Sequence, residues 1–417
     1  MKRFGIGSPW LGIGLTVIAF FIVQDRPAFP DPSSRLQTAD AAASDWLSLG
    51  QPIKAFSSLY VDVDASRHAL NPSLVFSRSV PYLAWSELNS HGMPQVYIRH
   101  WNGSAWIKDG PSQNVDTTHR AYDLTMSSNG KIPYLAWIEP NRHEIPQLYV
   151  KRLDGDQWIL DGGSRNLDPA HGAANPAMAA AEPGPYLAWS EQNSRRVFQL
   201  YVGHLSKEGW RMDGEGSLNL DPTQDAIEPA IALQESAPAI AWMESSDRHV
   251  YQVHVKGWTG AGWQRLGQSL NIDPTSHAMN PSIALFGGSP HVAWTEIDGN
   301  GVSRLFVKHW TNGAWVPDGE SLNRDPARHA MSPALMRIGS ALYAAWTEYD
   351  PKGISQVHVA RWTGRRWEPI DPGLETDPSI VSSSPSLADS GAGAHIVWKE
   401  INGNGLFHIV VKSLRTK

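Results

Sequence analysis

The chain runs to 417 residues, with 35 lysines and arginines against 41 aspartates and glutamates, a formal net charge of −6, and no cysteine. The missing thiol excludes disulfides, thiolate metal sites, thiol nucleophiles and a lipidated N-terminal cysteine. An acidic balance with scattered basic residues leaves no electrostatic footprint for nucleic acid.

The first element is apolar. Lys2 and Arg3 precede an uncharged stretch from Phe4 to Val23, which as a helix would rise roughly 30 Å, enough to span a bilayer. Residues 1–23 are expected to be an uncleaved transmembrane anchor, with the preceding positive charges inside and the remainder of the chain outside. A cleaved signal peptide is the rival reading. It is disfavoured because no small residues stand at −3 and −1 just after Val23, and Ala39-Asp40-Ala41 lies far downstream. Ser8, Gly12 and Thr16 fall on one face of this helix, where small side chains let a second membrane helix approach closely. Residues 24–45, rich in Pro, Ala, Ser and Asp, read as an extended linker.

From residue 46 to the end the chain repeats. Trp85, Trp137, Trp189, Trp242, Trp294, Trp346 and Trp398 are separated by 52, 52, 53, 52, 52 and 52 residues. Each is followed two positions on by a glutamate: Glu87, Glu139, Glu191, Glu244, Glu296, Glu348 and Glu400. A period near fifty with short β-branched and aromatic runs between turn residues predicts a β-propeller. In the fifth repeat, strands are expected at Pro281–Leu285, Pro290–Glu296, Arg304–Trp310 and around Trp315, bounded by Gly, Asn and Asp. The fold class is therefore all-β, with seven blades of four antiparallel strands. Fourth-strand tryptophans number six, from Trp106 to Trp367, and the last repeat ends before its outer strand. Trp46, ahead of the first repeat, is expected to supply that strand and close the ring, which removes exposed edges.

Positions alike in every repeat are architectural first. In each Trp-x-Glu pair the side chains share one strand face, the Trp to pack between blades and the Glu to accept hydrogen bonds from a neighbouring strand or loop. The recurrent Asp before each first strand (Asp64, Asp116, Asp168, Asp221, Asp273, Asp325, Asp377) suits turn stabilisation better than calcium binding, because no dense oxygen-donor loop surrounds it. Variable loops carry more information. Between the second and third strands the rim shows His91, then Arg142, His143, Arg195, Arg196, Arg248 and His249 in consecutive blades. This basic arc is the expected partner-binding surface, since recognition residues concentrate on loops held by a rigid scaffold. No Gly-x-Ser-x-Gly, His-Glu-x-x-His or phosphate loop is present. No catalytic residue, metal or cofactor is assigned.

The repeated Ala-Trp-x-Glu, Gln-x-Tyr-Val and Trp-x-Gly-x-x-Trp segments, the last at Trp101–Trp106, Trp258–Trp263 and Trp362–Trp367, resemble bacterial extracytoplasmic seven-bladed propellers over residues 46–417. The turns are similar to the Asp-box of sialidase-like propellers and the Trp-Gly turns of propeller lectins. They depart from the Asp-box pattern of Ser/Thr-x-Asp-x-Gly-x-Thr-Trp, so no catalytic or sugar-binding residue is carried over. The anchor, its small-residue face and the absent catalytic motif lead to the expected function: a non-enzymatic propeller on the periplasmic side of a bacterial inner membrane. There it would serve as an accessory or scaffolding subunit that binds other membrane proteins through its N-terminal helix and propeller face. A glycan-binding propeller with shallow pockets between blades is the alternative. A hydrolase at the channel mouth is the third reading, and it requires perturbed carboxylates or histidines on the axis.

Overall fold

The computed structural model describes residues 46–48, 61–234, 237–370, 374, 377 and 379–414. The expected anchor, with Ser8, Gly12 and Thr16, and the linker lie outside the described residues. Among the described residues no helix is long and apolar enough to cross a membrane.

The described chain folds as seven four-stranded antiparallel sheets. In the fifth blade the strands are Ala278–Phe286, Ser289–Ile297, Ser303–Thr311 and Ala314–Pro317, ordered from the axis outward. The innermost strand begins three residues before the position read from the sequence. Proline has no N–H for the ladder and is tolerated at bulges, and the register shifts between Met279 and Ser282. The strand continues through Pro281 on a bulge and does not start there. Innermost strands of successive blades contact one another around a closed ring, first to last included.

Closure uses both chain ends. Trp46–Ser48 pairs antiparallel with Phe407–Leu414, Trp46 opposite Leu414 and Ser48 opposite Lys412. Removing residues 1–48 should leave the Phe407–Leu414 strand as an open edge, whereas removing residues 1–43 should not. The longer deletion is expected to lower the urea midpoint and to associate on size-exclusion chromatography. Identical behaviour of the two truncations would show that this strand does not close the ring.

The core lies between blades. Trp137 is fully buried and packs with Met126 and Leu135 of its own blade and Ala84, Val96 and Ile98 of the preceding one. Its indole Nε1 donates to Glu139 at 2.9 Å, and the same carboxylate accepts from the main-chain N–H groups of Val115 and Asp116 at 2.9 and 2.6 Å. The motif recurs at Glu87, Glu191, Glu244, Glu296 and Glu348. In the last blade Trp398 donates to Glu400 at 3.2 Å. A buried carboxylate needs such partners. In the first six blades the Glu therefore pins the segment entering its blade to the blade's second strand, and none of the seven faces open solvent.

Candidate functional site: the axial ring and the rim around it

Each innermost strand carries one bulge near its start. The bulge residues are Asn71, Asp123, Asn175, Glu228, Asn280, Ser332 and Ser384, all left-handed with φ between 47° and 57°. Such a conformation is uncommon outside glycine, and all but Asp123 precede a proline, at positions 72, 176, 229, 281, 333 and 385. The conformation is architectural, because every blade has it. Side-chain identity varies, and only blades 2 and 4 contribute carboxylates.

Two neighbouring pairs of the ring touch, Asp123 with Asn175 and Glu228 with Asn280. The Asn280 side-chain amide donates to Glu228 Oε2 at 3.0 Å, and the Asn280 main-chain N–H donates to the same carboxylate. The main-chain N–H of Asn175 donates to Asp123. The second oxygen of Asp123, Oδ2, is buried without a hydrogen-bond partner. Burial pushes the Asp123 carboxyl up to about 6, with the Glu228 charge adding to the rise and the Asn175 bond opposing it. Burial likewise raises the Glu228 carboxyl against its two bonds from Asn280. Past the bulges, later residues of all seven inner strands line a cavity of about 610 Å³, with Ser73, Thr125, Ile231 and Leu335 on its wall. A protonatable acid on a ring that carries a second carboxylate two blades away, with amides and hydroxyls between and around them, can exchange protons with a hydroxyl-rich ligand.

The rim residues lie around the same end. His91, Arg142, His143, Arg195, Arg196, Arg248 and His249 are exposed in the turns between second and third strands. Those turns are built locally: the Asn141 side chain accepts from the N–H groups of His143 and Ile145, and Asn193 does so from Arg195 and Val197. Arg142 Nε lies 3.2 Å from His143 Nε2. The two line a cavity of about 600 Å³ between blades 2 and 3, with His119 and Tyr149 on its wall. The remaining rim residues each stand in their own blade's turn.

The recurrent turn aspartates are occupied by their own loops. Asp116 Oδ1 accepts from the Thr118 N–H and hydroxyl at 2.9 and 2.6 Å, and Asp273 from Thr275 in the same way. Those bonds hold the Asp116 and Asp273 carboxyls below the usual range. The turn histidines His68, His277 and His329 accept, through Nδ1, the N–H groups of Phe407, Tyr251 and Ser303 in the preceding blade. They clamp neighbouring blades.

The ring was missed in the sequence because it has no motif of its own. Its trace is a polar residue before proline at the repeat spacing, and that reads as ordinary strand-edge punctuation.

Fold and site together define a seven-bladed β-propeller with a two-carboxylate polar ring on its axis. No family model matches the chain. Among solved structures it is similar to the Trypanosoma rangeli sialidase in complex with sialic acid (12% identity over 90% of this chain and 60% of that one, TM-score 0.49). It is also similar to the Hadza microbial sialidase Hz136 (13%, 67% and 63%, 0.45) and to YjhT (10%, 75% and 99%, 0.47). The chain spans less than two thirds of the length of these two sialidases. At such identities and scores the likeness carries no residue role.

The expectation of a non-enzymatic accessory scaffold is corrected. The matching structures include sialidases. The axis also holds Asp123 and Glu228, whose carboxyls burial raises, so the clean axis that would have counted against a hydrolase is not what the described residues show.

Proposed function

We propose that the protein is a carbohydrate-cleaving propeller working at the axial ring. Asp123 is the acid that protonates the leaving glycosidic oxygen, and Glu228 is the carboxylate that takes a proton from the attacking water. The glycosidic C–O bond breaks, the water oxygen bonds to the anomeric carbon, and the two carboxyl groups end with the proton exchanged between them. Two carboxyl groups, one as acid and one as base, are the usual means of glycoside hydrolysis. The observation that carries the reading is the unpartnered Asp123 Oδ2 on a carboxyl pushed up to about 6.

The ring also limits the substrate. Five of its seven members are Asn or Ser and none is Arg or Lys. A neutral sugar can satisfy those amides and hydroxyls. An acidic sugar such as sialic acid would bring a further carboxylate against Asp123 and Glu228.

The test is a panel of neutral nitrophenyl glycosides and an α-sialoside, assayed from pH 4 to pH 8 with the full chain and with Glu228→Gln. Turnover is expected on a neutral glycoside, falling as pH rises through about 6 because the acid must be protonated. It should be lost in Glu228→Gln, and the sialoside should remain intact. No turnover on any substrate would defeat the proposal, and sialoside cleavage alone would defeat the substrate assignment.

A further inference from the structure

Outside the axial ring, one blade departs from the others in a way that changes its chemistry. On the second strands, blades 1, 2, 3 and 6 place Tyr82, Tyr134, Tyr186 and Tyr343 at the position where blade 5 has His291; blade 4 has Ala239 there, and blade 7 has His395, which stands opposite Ser413 rather than a second imidazole. Opposite on the third strand stand His100, Arg152 and His204 in blades 1 to 3, and His309 in blade 5. An aspartate after the outer strand completes each group.

In blades 1 to 3 that aspartate meets one cation or imidazole from the third strand. His100 Nδ1 lies 2.5 Å from Asp109, Arg152 Nη1 3.0 Å from Asp161, and His204 Nδ1 2.8 Å from Asp213. The other oxygen of Asp109 accepts the indole N–H of Trp158 in the next blade at 3.1 Å, and that of Asp161 accepts Trp210 at 2.7 Å. In blade 5 the second oxygen is used differently. His309 Nδ1 lies 2.6 Å from Asp318 Oδ1, and His291 Nδ1 lies 2.8 Å from Asp318 Oδ2. The equivalent indole, Trp367 Nε1, is buried without a hydrogen-bond partner, as is Trp106 Nε1 of the first blade. Blade 5 thus forgoes an interblade hydrogen bond, and a buried unsatisfied donor costs about 1–3 kcal/mol. In exchange it converges two imidazole nitrogens on one carboxylate.

We infer that His291, His309 and Asp318 form a binding site for a divalent transition metal of the zinc class. Their donor atoms lie within 4.8 Å of one another, His291 and Asp318 are buried, and His309 is half-buried and opens the way in. Two imidazoles and a carboxylate are a borderline-soft donor set that suits zinc and leaves a fourth position for water. Donor atoms around a tetrahedral zinc stand about 3.3 Å apart, so each imidazole must swing back by roughly half an ångström to admit the ion. The stacked rings, with centroids 5.1 Å apart, can do so by side-chain rotation without moving the strands that carry them. Asp318 is fixed by its own N–H donating to the Val307 carbonyl at 2.9 Å. The site is far in sequence from Asp123 and does not depend on the proposed hydrolysis.

The decisive experiment is titration of the metal-free full chain with Co²⁺, followed by visible absorption and by competition with Zn²⁺. His291→Tyr restores the residue of four other blades and should fold. His309→Ala removes the half-buried ligand. One equivalent of Co²⁺ with tetrahedral bands is expected for the parent chain. Both variants should bind at least about 100-fold more weakly while keeping the parent near-ultraviolet circular dichroism. Absence of uptake by the parent chain at millimolar metal would overturn the inference. So would His291→Tyr binding as tightly as the parent, and in that case the three residues are only a hydrogen-bonded triad.

Discussion

Asp123→Asn is expected to abolish turnover while making the protein more stable at pH 8. A general acid contributes about 10²–10⁴-fold to rate, and an amide cannot donate the proton. Stability runs the other way. The Asp123 carboxyl moves from an ordinary 3.8 to about 6 in the folded protein because burial disfavours its charge. The folded state therefore holds a proton that the unfolded chain has released between about pH 4 and pH 6. Stability falls as pH rises across that window, and the loss is complete above it. The shift corresponds to roughly 3 kcal/mol. Asparagine does not titrate, and its carbonyl can still accept the Asn175 N–H. Urea unfolding of the two proteins should therefore coincide near pH 4 and diverge by up to that amount at pH 8. Parallel curves at both pH values would mean that the ring does not hold a disfavoured charge. Gain of stability with loss of activity is the trade expected of a functional group kept in an uncomfortable place.

The second large effect belongs to the scaffold. Glu139→Ala should lower unfolding free energy by about 4 kcal/mol or more. It leaves the Trp137 indole and the Val115 and Asp116 N–H groups without their shared acceptor inside the protein, and each stranded donor costs about 1–3 kcal/mol. Glu139→Gln keeps one carbonyl oxygen and should lose roughly half as much. Urea denaturation of the pair provides the comparison. Equal losses in both variants would mean that filling the space matters more than the carboxylate. The same contrast is expected at Glu87, Glu191, Glu244, Glu296 and Glu348, which have the same set of donors. In the last blade Glu400 shows the tryptophan bond.

The functional expectation failed for a physical reason. Catalytic motifs such as Gly-x-Ser-x-Gly or His-Glu-x-x-His hold their residues close in sequence. In a propeller one residue per blade reaches the axis, so Asp123 and Glu228 stand two repeats apart and share no local pattern. The blade 5 histidines escaped notice similarly. His291 lies in a strand and His309 in the next, and their convergence on Asp318 depends on strand register.

What the sequence alone determined was the periodic part. Trp85 through Trp398 and their glutamates announced seven equivalent units, because each unit must bury the same indole against its neighbour and satisfy the same carboxylate. Alternation within short runs bounded by Gly, Asn and Pro located the strands to within a few residues, and Trp46 was legible as the closing strand from the missing outer strand of the last repeat. These features follow from interactions within one repeat or between adjacent ones, so a period in the sequence records them. The tertiary structure decided what differs between repeats. Only closure of the ring turns seven separated bulge residues into one polar ring with two carboxylates. Only the packed blades remove water from Asp123 and raise its carboxyl to about 6. Proximity and dielectric surroundings are properties of the closed ring, and they are absent from any single stretch of the chain.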